Sequence, residues 1–441
     1  MQQSNGVLRN RNYRVLKFIT ILFFFTTGTY LSLGQTVNEA LKKLCSDDFA
    51  GRGYVENGSA KAAAYIAAEF KKIGLMPLEK NFFQPFLMSV NTFPGKAEVS
   101  IDGKKLQAGY DFLFKPYSAS LKGTFQIVFI SKEQLENDSL FSILANKTNW
   151  RKSIPVLDTL TFSEDKIEKR YKFLTRNGFK APMTVFLTKN KLLWSVSREQ
   201  ANFTSVEALP NSINPQSKQI KVNVQTTFKS AYTLQNVLGF VPGTDYPDSF
   251  IVICAHYDHL GKMGKSLVFP GANDNSSGTA MLLSLASYYA KNPLPYNLVF
   301  MAFAAEEAGL VGSKFYVDKP LFPLSQIKFL INLDLVGTGE KGITVVNGTE
   351  FKNEFDLLSR LNQKKSYFPQ VLIRGKAANS DHYWFTESGV PSFFIYQMGD
   401  YPHYHDPGDK SDVLPLFAFE AMQNLLKDFF NELSSPNQDK Q

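Results

Sequence analysis

The feature that most constrains this chain is a series of apolar, strand-like runs that break off into polar clusters between Ile251 and Ser313. The stretch reads IVICAHYDHLG, then PGANDNSSGTAMLLSLA, then NLVFMAFAAEEAGLVGS. Short continuous apolar runs of this kind are expected as central strands of a sheet. The polar clusters fall where those strands end, and they hold His256, Asp258, Asp274, Glu306 and Glu307. In open α/β sheets ligands bind outside the carboxyl ends of strands. Imidazole and carboxylate groups gathered at such ends point to a metal site.

All five histidines lie at 256, 259, 382, 403 and 405. His256 is expected at the end of the strand FIVICA, with Asp258 two residues on and able to face the same way. A ligating histidine needs its second nitrogen or its ring orientation held by a neighbour, and Asp258 is the candidate. Asp274 stands just before a helix expected to begin near Ser277 and run through MLLSLASYYA. It is either a helix cap or a carboxylate that bridges two metals. Glu306 and Glu307 follow LVFMAFAA. Two adjacent carboxylates at the end of a buried strand are costly without a compensating cation. Adjacent residues can face different ways, so one can ligate while the other handles a proton. FLINLDLVG repeats the pattern, with Asp334 near a strand end. In the last segment, IYQMGDYPHYHDPGDKSD, either His403 or His405 is a ligand candidate. Asp406 and Asp409 are candidate outer partners or turn formers.

Outside this stretch the sequence is less specific. With 441 residues the chain is long enough for two domains, or for one with a large insertion. Residues 1–34 carry Arg9, Arg11, Arg14 and Lys17, no acidic residue, and then the apolar run FITILFFFTTGTYLSLG. That is the pattern of a secretory signal peptide, with small residues placed for cleavage before Gln35; an uncleaved anchor is the alternative. Without this segment only +4 of the formal +8 charge remains, and no basic run suggests nucleic acid. No later stretch is long and apolar enough to cross a bilayer. Two cysteines, Cys45 and Cys254, make no disulfide framework.

A helix is expected over Ala60–Ile73, with Ala63, Ile66, Ala67 and Phe70 on one face, Ser59 as its cap and Gly74 as its stop. The preceding stretch, residues 47–53, is expected as a Gly-punctuated structural loop, with the lining of a cleft as the alternative. Residues 85–230 change to short β-rich runs, namely KAEVSIDGKKL, GTFQIVFIS, MTVFLTKN, KLLWSVS and QIKVNVQTT, with a helix candidate EDKIEKRYKFLTRNG between them. This stretch is expected to shape or cover a cleft.

Taken together, HYDHLG, GANDNSSG, AAEEAGLVGS, NLDLVG and YHDPGD resemble the secreted zinc aminopeptidases of metallopeptidase family 28, in order and in spacing. The resemblance covers about 234–430, and SDHYWF (380–385) is similar to a family segment as well. DFAGRGY and the helix after it resemble the family's N-terminal region, and 85–230 resembles, weakly, the protease-associated insertion of some members. The fold implied is α/β, a three-layer zinc-exopeptidase fold with a mixed, mostly parallel central sheet between helix layers, plus a β-rich inserted domain. The implied division is a signal peptide at 1–34, the peptidase domain at 35–84 and 231–435, and the insertion at 85–230. By the motifs, two Zn²⁺ ions per chain are expected, one held by His256 and Asp334, the other by Glu307 and His405, with Asp274 bridging. Glu306 is implied as general base and acid, and Asp258 as the residue orienting His256.

The implied activity is hydrolysis of N-terminal residues from peptides by a water activated between the two ions, in an exported protein of the periplasm or the extracellular space. Peptides are the expected partners, with no nucleic acid and no stable membrane insertion. Alternatives on the same scaffold are a glutaminyl cyclase-like enzyme with one zinc, a carboxypeptidase with Arg374 as the candidate basic group, and a non-catalytic binding domain. A complete set of five ligands favours two metals and hydrolysis.

Overall fold

The computed structural model describes residues 37–158 and 165–435. The expected signal segment, residues 1–34, lies outside the described residues. Two large sheets organise the chain. The first runs in the spatial order Met76–Pro77, Thr227–Val241, Tyr296–Phe303, Tyr246–His256, Ile327–Leu333, Ser392–Met398, Gly342–Val346, Val371–Ile373, and Phe83–Thr92 also pairs with Thr227–Val241. Its four central strands, from Tyr296–Phe303 to Ser392–Met398, are mutually parallel, and Thr227–Val241 and Gly342–Val346 flank them antiparallel.

The continuous apolar runs follow from burial on both faces. On one face Ile251, Ile253, Leu298, Phe300, Phe329 and Ile331 join a core with the helices Gly58–Ile73, Gly278–Tyr289, Lys352–Lys365 and Phe419–Leu433. On the other, Val252, Cys254, Val299, Met301, Phe303 and Leu330 pack with Tyr316 and Phe385 of the helices Val311–Asp318 and His382–Glu387. Successive strand residues alternate between faces, so a strand covered by helices on both sides has no polar position to spare. The sheet therefore sits between two helix layers.

Parallel register places the functional ends together. His256 is opposite Phe303, and Cys254 is opposite Asn332. The residues that follow each strand, Glu306 and Glu307 in one case and Asp334 in another, emerge on the same edge as His256.

The helix Gly58–Ile73 starts two residues before the expected position; Asn57, in the left-handed region, stands at its N-cap without a side-chain capping bond, and Ser59 lies inside the helix. Gly74 ends it at φ 94°, donating to the carbonyls of Phe70 and Lys71. Glycine reaches that conformation without the Cβ clash of other residues.

The second sheet runs from Lys104–Lys105 through Ala97–Ile101, Gln219–Val224, Leu121–Ile130, Ser153–Asp158, Met183–Leu187 and Thr204–Ala208 to Phe112–Phe114. Phe83–Thr92 and Thr227–Val241, which lead into and out of it, pair with each other in the first sheet. The run KLLWSVS (191–197), expected as a strand, contains no strand. The backbone N–H of Trp194 goes to the carbonyl of His405, and the carbonyl of Ser197 accepts from Asn91 N–H. Its hydrogen bonds are thus spent on the distant His405 loop and on one residue of the strand Phe83–Thr92 rather than on a regular ladder.

Candidate metal centre

Each candidate ligand is delivered by a separate part of the first sheet's carboxyl edge. His256 ends its strand. Asp334 follows Leu333, the last residue of another. Glu306 and Glu307 stand three and four residues beyond Phe303. Asp274 lies in the tight turn Ala272–Ser277 ahead of the helix Gly278–Tyr289. His405 comes from the loop after Ser392–Met398 and has φ 51°.

The polar residues of GANDNSSG stitch the Asp274 turn to the Asp334 loop. Asn275 Nδ2 donates to the Leu333 carbonyl at 2.9 Å. Asn273 Oδ1 accepts from Gly337 N–H at 2.9 Å, and Ser277 Oγ from Val336 N–H at 3.0 Å. Gly278 is required by this approach, since a Cβ there would lie 2.5 Å from the Leu333 carbonyl oxygen.

His256 Nε2 lies 3.4 Å from Asp274 Oδ1 and 3.3 Å from Asp334 Oδ1. His405 Nε2 lies 3.1 Å from Asp274 Oδ2 and 3.2 Å from Glu307 Oε2. Asp274 thus turns one oxygen to each histidine, as a bridging carboxylate must. Around a tetrahedral ion with bonds of about 2.0–2.2 Å, neighbouring ligand atoms stand about 3.3–3.6 Å apart. The His256 distances fall in that range and the His405 distances just below it. His256 Nε2 and Asp334 Oδ1 are buried without a hydrogen-bond partner. Such orphaned atoms are costly, and an ion in contact with both would remove the cost. The residues therefore fit a pair of divalent cations.

The ring nitrogens are assigned by their partners. His256 Nδ1 faces the backbone carbonyl of Asp258 at 3.2 Å, and His405 Nδ1 faces the carbonyl of Trp194 at 3.0 Å. A carbonyl only accepts, so each Nδ1 carries a proton, and Nε2 is the nitrogen each ring has left to offer an ion. The expected contact from Asp258 to His256 is made by its main chain. Its carboxylate stands 3.8 Å from the ring and instead accepts the N–H groups of Glu306, at 3.0 Å, and Glu307, at 3.4 Å, and the Tyr54 hydroxyl, at 3.3 Å. It fixes the loop that carries the two glutamates. His403 turns away, its Nδ1 on the Asp406 carboxylate, which leaves His405 as the histidine of that loop at the centre.

Several residues at the site were not assigned to it from sequence. His259 is fully buried and its Nδ1 lies 2.7 Å from Glu307 Oε1. That is a hydrogen-bond length, too short for two ligands of one ion, and Asp274 is 3.9 Å away; His259 orients Glu307. Ser380 Oγ donates to Asp334 Oδ2 at 3.0 Å and accepts from Asn332 Nδ2 at 2.7 Å. Asp409, left open as an outer partner, accepts the N–H groups of Asn273 and Asp274. Arg52, within DFAGRGY, is fully buried and donates to the carbonyls of Leu44, Tyr257, Pro270, Gly271 and Asp274. That segment bears directly on the Asp274 turn.

The electrostatics show a site short of positive charge. Burial pushes the Glu306 carboxyl well above its ordinary range, and Asp258 up to about 7. Burial likewise raises Asp381 to about 6, where both carboxylate oxygens are sealed from water. Burial also acts on Glu307, but the facing His405 and His259 outweigh it and hold that carboxyl well below its usual range. Burial alone would lower His405, yet Glu307 and Asp274 drive it up to about 11. Glu306, Asp258 and Asp381 thus favour their protonated forms, Glu307 its ionised form and His405 its cationic form.

A cavity of about 230 Å³ opens on the centre. Asp274, Glu306, Glu307, Asp334 and His405 line it, together with the apolar or aromatic Leu335, Phe394, Tyr396 and Tyr404 and the exposed Arg374.

Residues 236–430 match the model of peptidase family M28. Among curated proteins, the chain is 36% identical to aminopeptidase YwaD of Bacillus subtilis (strain 168) over 193 residues, 40% of each protein. It is 33% identical to a probable zinc metalloprotease of Pyrenophora teres f. teres over 114 residues, 25% of this chain and 24% of that one. These matches span less than half the length of the relatives. Among solved structures, a zinc aminopeptidase from Bacillus subtilis superposes with a TM-score of 0.66 at 20% identity, over 92% of this chain and 96% of that one. An aminopeptidase from Aneurinibacillus sp. strain AM-1 gives a TM-score of 0.62 at 22% identity, over 91% and 94%. At that identity the likeness to solved structures establishes the fold, and the similarity to peptidase family M28 rests on residues 236–430.

Proposed function

We propose that this protein is a zinc-dependent aminopeptidase that holds two ions per chain and removes N-terminal residues from peptides. The observation that carries this is the pair of ligand sets sharing Asp274, with His256 Nε2 and Asp334 Oδ1 buried and unsatisfied. His256 and Asp334 would hold one ion, Glu307 and His405 the other. When bound, such ions supply Lewis acidity for the scissile carbonyl and make water acidic enough to attack near neutral pH. The mixture of imidazole and carboxylate suits zinc, and the names of the aminopeptidase and zinc metalloprotease relatives agree.

Glu306 is the proton carrier. Its Oε2 stands 4.0 Å from His256 Nε2, it lines the cavity, and burial raises its affinity for a proton. A carboxylate so tuned takes a proton from the attacking water and returns it to the departing amine. Asp258, by fixing the main chain of Glu306 and Glu307, keeps the ligating and proton-carrying groups apart. Leu335, Phe394 and Tyr396 offer an apolar wall for the substrate side chain. The Tyr404 hydroxyl, whose ionisation burial suppresses, remains a neutral donor beside them.

Arg374 lines the same cavity and gives a carboxypeptidase its one specific support. Peptides blocked at the amino end, and separately at the carboxyl end, decide between the two. The aminopeptidase is expected to cleave only the carboxyl-blocked set and to lose that activity on chelation. Cleavage of the amino-blocked set would overturn it.

Two further points belong to this proposal. The insertion expected over 85–230 is drawn in to the second sheet, residues 97–224, because Phe83–Thr92 and Thr227–Val241 at its ends pair with each other in the first sheet. The protein is exported to the periplasm or extracellular space; among the described residues no helix is long and apolar enough to cross a membrane.

A further inference from the structure

The two histidines differ in where their support comes from. His256 finds the acceptor for Nδ1 two residues along its own chain. His405 finds it 211 residues away, at the carbonyl of Trp194. Trp194 lies in residues 188–197, a strap without regular structure that leaves the second sheet after Met183–Leu187.

The strap grips the His405 loop at several points. Trp194 N–H donates to the His405 carbonyl at 3.1 Å while the Trp194 carbonyl accepts from His405 Nδ1 at 3.0 Å. Lys191 Nζ donates to the Pro402 carbonyl at 2.5 Å and pairs with the Asp406 carboxylate. The Trp194 indole anchors the strap from behind. Its N–H donates to the Phe114 carbonyl of the second sheet at 3.0 Å, and its ring stacks on Phe269 at 4.8 Å and meets Phe93 edge-on at 5.6 Å. Phe269 belongs to the segment that leads into the Asp274 turn. The strap is thus fastened on one side to the inserted sheet and on the other to the loops of the metal centre.

We propose that Trp194 is a positioning residue for metal binding. Through its main chain the inserted unit fixes the tautomer and direction of His405, and so completes the Glu307–His405 position while leaving the His256–Asp334 position self-sufficient. The proposal rests on the two-ion centre above. It assigns the insertion a role beyond shaping the cleft. A carbonyl on Nδ1 holds the proton there and aims the Nε2 lone pair at the ion, and loss of such outer partners typically weakens metal binding about 10–100-fold.

The test is zinc content of the full chain after dialysis against graded concentrations of a weak chelator, for wild type, Trp194→Ala, Trp194→Phe and Lys191→Ala. Wild type is expected to hold two ions until the chelator is strong enough to strip them. Trp194→Ala is expected to release one of the two at about 10–100-fold lower chelator concentration, and the other at the wild-type concentration. Trp194→Phe keeps the ring against Phe269 and is expected to recover most of the loss. Lys191→Ala removes a half-exposed anchor with little risk to folding, and is expected to move the same single ion in the same direction. It decides the matter if Trp194→Ala does not fold. Release of both ions together, or release indistinguishable from wild type in Lys191→Ala and the Trp194 variants, would overturn the proposal. A wild type that never holds two ions would instead overturn the two-ion centre, and the strap's role with it.

Discussion

Replacing Arg52 by methionine is expected to cost more than any other single change outside the ligands. The side chain is fully buried, and its guanidinium donates to five backbone carbonyls, at 2.7 Å to Tyr257, 3.2 Å to Leu44, 2.5 Å to Pro270, 2.8 Å to Gly271 and 3.3 Å to Asp274. Hydrogen bonds to a charged group are worth about 1.5–3 kcal/mol each, so five give an upper bound near 7–15 kcal/mol. Against this stands the desolvation of the guanidinium, several kcal/mol, which the variant recovers. The net expected loss is about 3–5 kcal/mol, the range seen when one partner of a buried charged network is removed. Arg52→Lys is expected to recover little, because a single ammonium cannot span carbonyls set around a planar fork. The assay is urea unfolding of chelator-treated protein, followed by circular dichroism. Because Gly271 and Asp274 are among the acceptors, the Asp274 turn is expected to loosen and the metal-loaded variant to hold fewer ions. A loss below about 1 kcal/mol for Arg52→Met, or a lysine variant as stable as wild type, would show that the carbonyls do not depend on the guanidinium and would refute the reasoning.

Two other outcomes follow from the same geometry. Glu306→Gln keeps the shape of the side chain and removes its proton chemistry, so turnover is expected to fall about 10²–10⁴-fold with the zinc content unchanged; metal lost along with activity would contradict that role. Burial lowers His382 to about 4, so it stays neutral in the folded protein while the unfolded chain protonates near 6.5. Its contribution is full above 6.5 and is lost as pH falls toward 4. Between pH 7.5 and 5, wild type is therefore expected to lose about 2 kcal/mol more stability than His382→Leu, and equal losses in urea titrations at the two pH values would rule this out.

Much of the fold was legible because the first sheet is covered on both faces. IVICA and LVFMAF had to be central strands, and the charged residues after them had to sit at an edge. The three carboxylate candidates were legible for the same reason, since carboxylates following buried strands need a cation; the preference for His405 over His403 came from the motif resemblance. What escaped was what depends on contacts far apart in sequence. Arg52 reads as an ordinary loop arginine until the fold brings the carbonyls of Pro270, Gly271 and Asp274 around it. KLLWSVS alternates like a strand, yet Trp194 spends both main-chain groups on His405. Asp258 was expected on the His256 ring, but the main-chain N–H groups of Glu306 and Glu307 lie within its reach and compete for the same oxygens. That Asp406 holds His403 aside, while His405 faces Asp274 and Glu307, was likewise invisible in the spacing of the two histidines.

The central claim is that Asp274 joins two ions held by otherwise separate ligands. Anomalous diffraction at the zinc edge from crystals of the metal-loaded protein tests it most directly. Two peaks about 3.5–4 Å apart are expected, one between His256 and Asp334, the other between Glu307 and His405, with an oxygen of Asp274 on each. A single peak, or a second peak bound by His259 in place of His405, would contradict it.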